Sequence, residues 1–102
     1  MLSSFKTYQL AEQLYRELKL QTQLPPYIRD QLMRAALSVA LNLAEGSGKP
    51  SVKDRARFYS IAMGSLREVQ ALIRLEGQGW GNALTLADQL GGSLFRLIQA
   101  TG

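Results

Sequence analysis

The chain has 102 residues, a length suited to one domain whose core needs no metal or disulfide support. Twelve Lys and Arg stand against eight Asp and Glu, a net charge of +4; this mild excess admits an acidic partner such as nucleic acid without requiring one. With no Cys and no His, the sequence excludes thiol catalysis, Ser-His and Cys-His pairs, Cys/His zinc sites, Glu-x-x-His di-iron sites and a disulfide framework.

The first helix is expected from Ser4 to Gln21, with Ser3 or Ser4 as N-cap. Tyr8, Ala11, Tyr15 and Leu18, with Leu14 beside them, recur at the spacing of a bundle seam. Glu12, Arg16, Glu17 and Lys19 read as a solvated face, and the two tyrosines favour core or rim packing over base stacking. The amphipathic pattern begins by Phe5, so no leader of charged then apolar residues is read. Leu24-Pro25-Pro26 then breaks the chain, and Pro26 suits the first turn of a second helix.

That second helix, ending near Glu45, is the most apolar. Ile28, Leu32, Ala35, Val39 and Leu43 lie on one flank, and Met33, Leu37, Ala40, Leu41 and Ala44 on the other. Between them runs one polar stripe, Gln31, Arg34, Ser38, Asn42 and Glu45. A surface helix needs one apolar stripe, so the second flank is expected to be covered by another subunit. Gly46 is placed to end this helix in the left-handed conformation. Gly46-Ser47-Gly48-Lys49 lacks the G-x-x-x-x-G-K-[ST] spacing and the preceding strand of a phosphate loop, and is read as a turn.

Ser51 is expected to cap a third helix, with Asp54 completing a variant capping box. Tyr59, Ala62, Leu66, Val69 and Ile73 form its seam, widened by Phe58, Ile61 and Leu72. The opposite face carries a cationic stripe, Lys53, Arg57, Arg67 and Arg74, with Ser60, Gly64 and Ala71 between the charges. Gly77-Gln78-Gly79-Trp80-Gly81 reads as a loop, after which Asn82 can cap a fourth helix with the seam Ala83, Ala87, Leu90, Leu94 and Leu97. Gly91-Gly92 should weaken or kink that helix, at about 1 kcal/mol per glycine, unless close packing needs it, and its tail should fray after Ile98. No apolar run approaches the ~20 residues that span a bilayer. Residues 1–102 therefore read as a single all-α domain, an antiparallel up-down-up-down four-helix bundle, expected in the cytoplasm and with no membrane partner.

Asp30-Gln31-Leu32-Met33-Arg34-Ala35-Ala36-Leu37-Ser38-Val39, then Asn42-Leu43-Ala44-Glu45-Gly46, then Phe58 to Ala62 and Gly64-Ser65-Leu66-Arg67-Glu68 closely resemble the four-helix-bundle family of bacterial ribosomal-RNA intervening-sequence proteins. The resembling blocks cover the second and third helices, about half of the chain, with a weaker extension over Phe5 to Leu20. The resemblance implies a subunit that assembles into a ring, a homopentamer in relatives. Family members are encoded within intervening sequences of large-subunit ribosomal RNA genes. A related branch comprises the accessory variability proteins of diversity-generating retroelements, basic pentameric barrels that bind nucleic acid and partner a reverse transcriptase. This sequence departs from the family pattern at Met33, where Arg is usual, at Lys49-Pro50, which replaces an Arg-rich turn, and at Asp54, which replaces Glu.

Arg34, Asn42, Glu45 and Glu68 match the family pattern position by position. A hairpin closed at Gly46–Pro50 would set Arg34 level with Gly64 and within a turn of Glu68, and Asn42 level with Arg55 or Ala56. Glu45, at a helix C-terminus, should take a cationic partner such as Lys49, Lys53 or an Arg of a neighbouring subunit. We read Arg34, Ser38, Asn42, Glu45, Gly64, Ser65 and Glu68 as a buried polar network that fixes register and subunit contacts, in preference to a ligand or catalytic cluster. Lys49, Lys53, Arg57, Arg67 and Arg74 are the candidate nucleic-acid contacts, weighed against a plain solvated or inter-subunit face; repetition around a ring would multiply weak phosphate contacts. The expectation is a non-enzymatic homo-oligomer, a pentamer, without cofactor or metal, binding RNA or DNA through a repeated basic surface. The alternative is a structural or adaptor assembly whose ligand is another protein.

Overall fold

The breaks expected at the prolines and glycines separate four helices: α1 (Leu2–Lys19), α2 (Pro26–Ser47), α3 (Val52–Glu76) and α4 (Ala83–Thr101). The computed structural model describes residues 2–77 and 80–101; Gln78 and Gly79, in the expected loop, lie outside the described residues. Each helix packs against its neighbours in the chain, and α1 also packs against α4, while the diagonal pairs stand apart. Neighbours run antiparallel. Ser38 meets Ser65 and Ser47 meets Tyr59 across α2 and α3. Thr7 meets Ser93 just past the middle of α4, Lys6 lies beside Leu97 and Ala100, and Glu17 lies beside Asn82 and Thr85.

The seams of α3 and α4 fall on the expected residues: Tyr59, Ala62, Leu66, Val69 and Ile73, and Ala83, Ala87, Leu90, Leu94 and Leu97, are all buried. They meet Leu32, Val39 and Leu43 of α2 in the centre of the bundle, where each fully buried side chain of this size contributes about 1.5–3 kcal/mol. Trp80, from the α3–α4 connection, joins the same core. The α1 seam differs from expectation. Its buried line is Ser4, Thr7, Ala11, Leu14 and Leu18, and Tyr8 and Tyr15 sit half-buried on its flank. Thr7 can occupy a core position because its hydroxyl bonds the Ser93 hydroxyl at 2.7 Å. Ser3 and Ser4 lie inside α1, which begins at Leu2, so neither is its cap.

Arginines close two connections. Arg29 of α2 reaches back to the Gln21 carbonyl and, at 3.2 Å, to the Lys19 carbonyl, satisfying the end of α1. Arg55 Nη1 donates to the Lys49 and Pro50 carbonyls, each at 2.9 Å, and ties the α2–α3 turn to the first turn of α3. Ser51 is the N-cap of α3, its Oγ accepting from the Asp54 N–H at 3.4 Å.

Gly46 does not end α2. The helix continues through it to Ser47, and Gly46 is buried. Its lack of a side chain serves packing: a Cβ there would lie 2.8 Å from Tyr59 Cε1 and 2.9 Å from Phe58 Cβ. Nor does the register match a hairpin centred on the turn. Ser38 meets Ser65, and Asn42 lies between the levels of Tyr59 and Ser65 rather than beside Arg55 or Ala56. The first turn of α3 is spent on closing the connection through Arg55, so α2 packs alongside later residues of α3. Gly91-Gly92 leaves α4 unbroken, and the tail stays helical through Thr101, whose Oγ1 donates to the Leu97 carbonyl at 2.8 Å.

Candidate nucleic-acid interface

The polar stripe of α2 divides into a bonded centre, an end paired through Glu45 and an exposed end at Arg34. Ser38 and Ser65 hydroxyls share a 2.7 Å hydrogen bond, and Asn42 Nδ2 donates to the Ser38 carbonyl at 2.8 Å and to Ser38 Oγ at 3.1 Å. All three residues are half-buried, so this cluster satisfies polar groups along the α2–α3 seam. Glu45 Oε2 lies 3.2 Å from Lys49 Nζ. Arg34 and Glu68, however, are both exposed, and neither takes part in an ion pair among the described residues. Within one subunit both therefore stand outside the bonded Ser38–Ser65 centre. Gly64 is exposed, and nothing lies within 4 Å of where its Cβ would stand, so no contact inside the subunit requires glycine there.

The cationic stripe also divides. Lys53 and Arg57 are exposed near the α2–α3 turn. Arg57 lies 4.9 Å and Lys49 5.4 Å from the centroid of the same Phe58 ring, a pair of cation–π contacts that holds both cations at this end of the bundle. Arg67 and Arg74 lie further along α3. Arg67 is exposed beside Glu68, and Arg74 is 3.6 Å from the Asp88 carboxylate, which also accepts from Gln70 at 3.2 Å. The structure therefore groups Lys49, Lys53 and Arg57 near the turn, with Lys49 paired to Glu45, and leaves Arg67 and the Asp88-paired Arg74 further along α3.

A second surface lies on α1 and α2. The buried flank of α2 is Leu32, Ala35, Val39 and Leu43; on the other flank Leu37 and Leu41 are 41% and 59% exposed. Beside them, Phe5, Tyr8 and Ala44 line a mostly apolar groove of about 340 Å³ together with Ser4 and Ser47. The sequence shows the excess apolar flank of α2 but not its continuation onto Phe5 of α1, which requires knowing that the start of α1 lies beside the end of α2.

Among the described residues no group of three or more His, Cys, Asp or Glu side chains could hold a metal ion, and no helix is long and apolar enough to cross a membrane. A family model described as 23S rRNA-intervening sequence protein matches residues 4–78. No curated protein matches the chain.

Proposed function

The chain belongs to the 23S rRNA-intervening sequence protein family, and from that premise we propose that it is a non-enzymatic, homo-oligomeric bundle, a pentamer, that binds nucleic acid in the cytoplasm through a repeated basic surface. The observation that carries this reading is the grouping of Lys49, Lys53 and Arg57 around the α2–α3 turn. One such group binds phosphate weakly, but each copy in an assembly adds another at a fixed distance, and avidity then multiplies the contacts. The exposed flank of Leu37 and Leu41 supports assembly, because burying it against another subunit removes apolar surface from water. Direct base reading is not part of the proposal: the sequence carries no recognised base-reading module, and the Phe58 ring is occupied by cations of its own subunit.

The test is a mobility-shift titration with RNA and with DNA of the same sequence across a salt series. Binding that falls steeply and linearly in log–log form supports the reading. Absence of binding near about 50 mM salt overturns it and favours an assembly that binds a protein instead. That second reading draws on the apolar groove at Phe5 and Tyr8, which a partner helix of another protein could fill.

A further inference from the structure

The antiparallel order brings the start of α1 and the end of α4 to the same end of the bundle as the α2–α3 turn. There Lys6 and Arg96 line an open groove of about 340 Å³ between α1 and α4, floored by Ser93, Leu97 and Ala100. Both cations are exposed, and neither is in an ion pair among the described residues. Neither belongs to the α3 stripe.

With these two included, the charge of the subunit is polarised along its long axis. The turn end holds Lys6, Lys49, Lys53, Arg55, Arg57 and Arg96 against Glu45 and Asp54, so the entire net charge of +4 resides there. The opposite half carries six cations and six carboxylates, with two ion pairs among the described residues, Arg16 with Glu12 and Arg74 with Asp88, against the one pair of Lys49 with Glu45 at the turn end. Helix dipoles do not cancel this difference, because two N-termini and two C-termini meet at each end of an antiparallel bundle. The field is a side-chain field, strongest across one end face.

We propose that the nucleic acid lies across this end face, its phosphate backbone held by Lys53 and Arg57 on one side and by Lys6 and Arg96 in the α1–α4 groove on the other. The inference rests on the nucleic-acid reading above and assigns it a location and two further residues. The bundle is 21 × 18 Å in cross-section, so one subunit covers about six base steps at ~3.4 Å each along one strand. Contacts are to phosphate alone, and the track is indifferent to sequence.

The test compares two double variants of the full chain that remove the same charge from exposed positions: Lys6→Gln with Arg96→Gln at the turn end, and Arg16→Gln with Lys19→Gln at the opposite end. Each is titrated with one RNA across a salt series after its melting curve is shown to match the parent. The turn-end pair should make the log–log salt slope shallower by ~0.7–0.9 for each phosphate that is no longer neutralised, while the control pair leaves the slope unchanged. Lys6→Arg with Arg96→Lys, which keeps both charges, should restore the parent slope. Equal effects of the two double variants, or no effect of the turn-end pair, overturn the location while leaving nucleic-acid binding in place. A parent protein that binds nothing overturns the nucleic-acid reading itself, and the location with it.

Discussion

Gly46→Ala is the sharpest test of the packing between α2 and α3. Two effects oppose each other. Alanine in a helix interior is favoured over glycine by about 1 kcal/mol, so on local grounds the substitution stabilises. Against this, the new Cβ would sit 2.8 Å from Tyr59 Cε1 and 2.9 Å from Phe58 Cβ. Neither atom is the far end of a flexible side chain. The Tyr59 ring is fully buried and its hydroxyl bonds Ser47 at 3.3 Å, and Phe58 Cβ can move only with the α3 backbone. Overpacking of this kind costs about 1–3 kcal/mol, which outweighs the propensity gain, and we expect a net loss of about 1 kcal/mol. For a domain of this size that lowers the melting temperature by roughly 4–8 °C. Gly64→Ala supplies the internal control, because it is also a helical glycine but has nothing within 4 Å of its Cβ position. It should gain about 0.5–1 kcal/mol, so the two variants should move in opposite directions in parallel thermal and urea denaturation. A Gly46→Ala protein that melts at or above the parent would refute the reasoning. A Gly64→Ala protein of lower hydrodynamic mass would show that the outer face of α3 is packed closely against another subunit.

Ser65→Ala should cost about 1 kcal/mol by leaving the Ser38 hydroxyl short of a partner, and the Ser38→Ala, Ser65→Ala double variant should cost less than the sum of the singles; additive values in a denaturation cycle would mean the 2.7 Å bond contributes nothing. Arg55→Met should cost about 1.5–3 kcal/mol and speed amide exchange in the first turn of α3, since the Lys49 and Pro50 carbonyls lose their donor. Leu37→Glu with Leu41→Glu should lower the sedimentation mass while leaving helical circular dichroism intact; an unchanged mass would remove this flank of α2 from the assembly interface.

The bundle itself is legible in the sequence because its cause is local. Apolar residues at helical spacing, interrupted by Pro25-Pro26 and by the Gly-rich segments, fix the number, order and buried faces of three helices out of four. What the sequence misleads on is non-local in each case. In α1 the tyrosines read as the seam because they are large and apolar, yet Thr7 takes the core position, since Ser93, far along the chain, satisfies its hydroxyl. Gly46 reads as a helix stop because it precedes a turn; its real constraint is the Tyr59 ring, which only the packed hairpin brings near. Arg34 and Glu68 read as neighbours within a turn across α2 and α3, yet inside one subunit both are exposed and form no ion pair among the described residues.

Charge follows the same rule, with a functional consequence. A net charge of +4 over 102 residues looks mild, and a stripe of cations on one helix looks like a solvated face. Both impressions come from treating charge as a property of composition or of one element. In the folded subunit, carboxylates from other elements decide which cations remain available. Asp88 of α4 engages Arg74 of α3, while Lys53 and Arg57 have no carboxylate within ion-pair distance among the described residues. Topology decides which of the remaining cations act together, and it is chain reversal, not sequence proximity, that sets Lys6 and Arg96 at the same end as the α2–α3 turn. A polyanion responds to that local field within about one Debye length, ~8–10 Å at ordinary salt, and so meets one strongly positive end rather than a weakly positive whole. An assembly that aligned its subunits in parallel would present this end as a continuous basic face, whereas one that alternated them would disperse it. Nucleic-acid affinity should therefore depend on how the subunits are oriented as well as on how many there are.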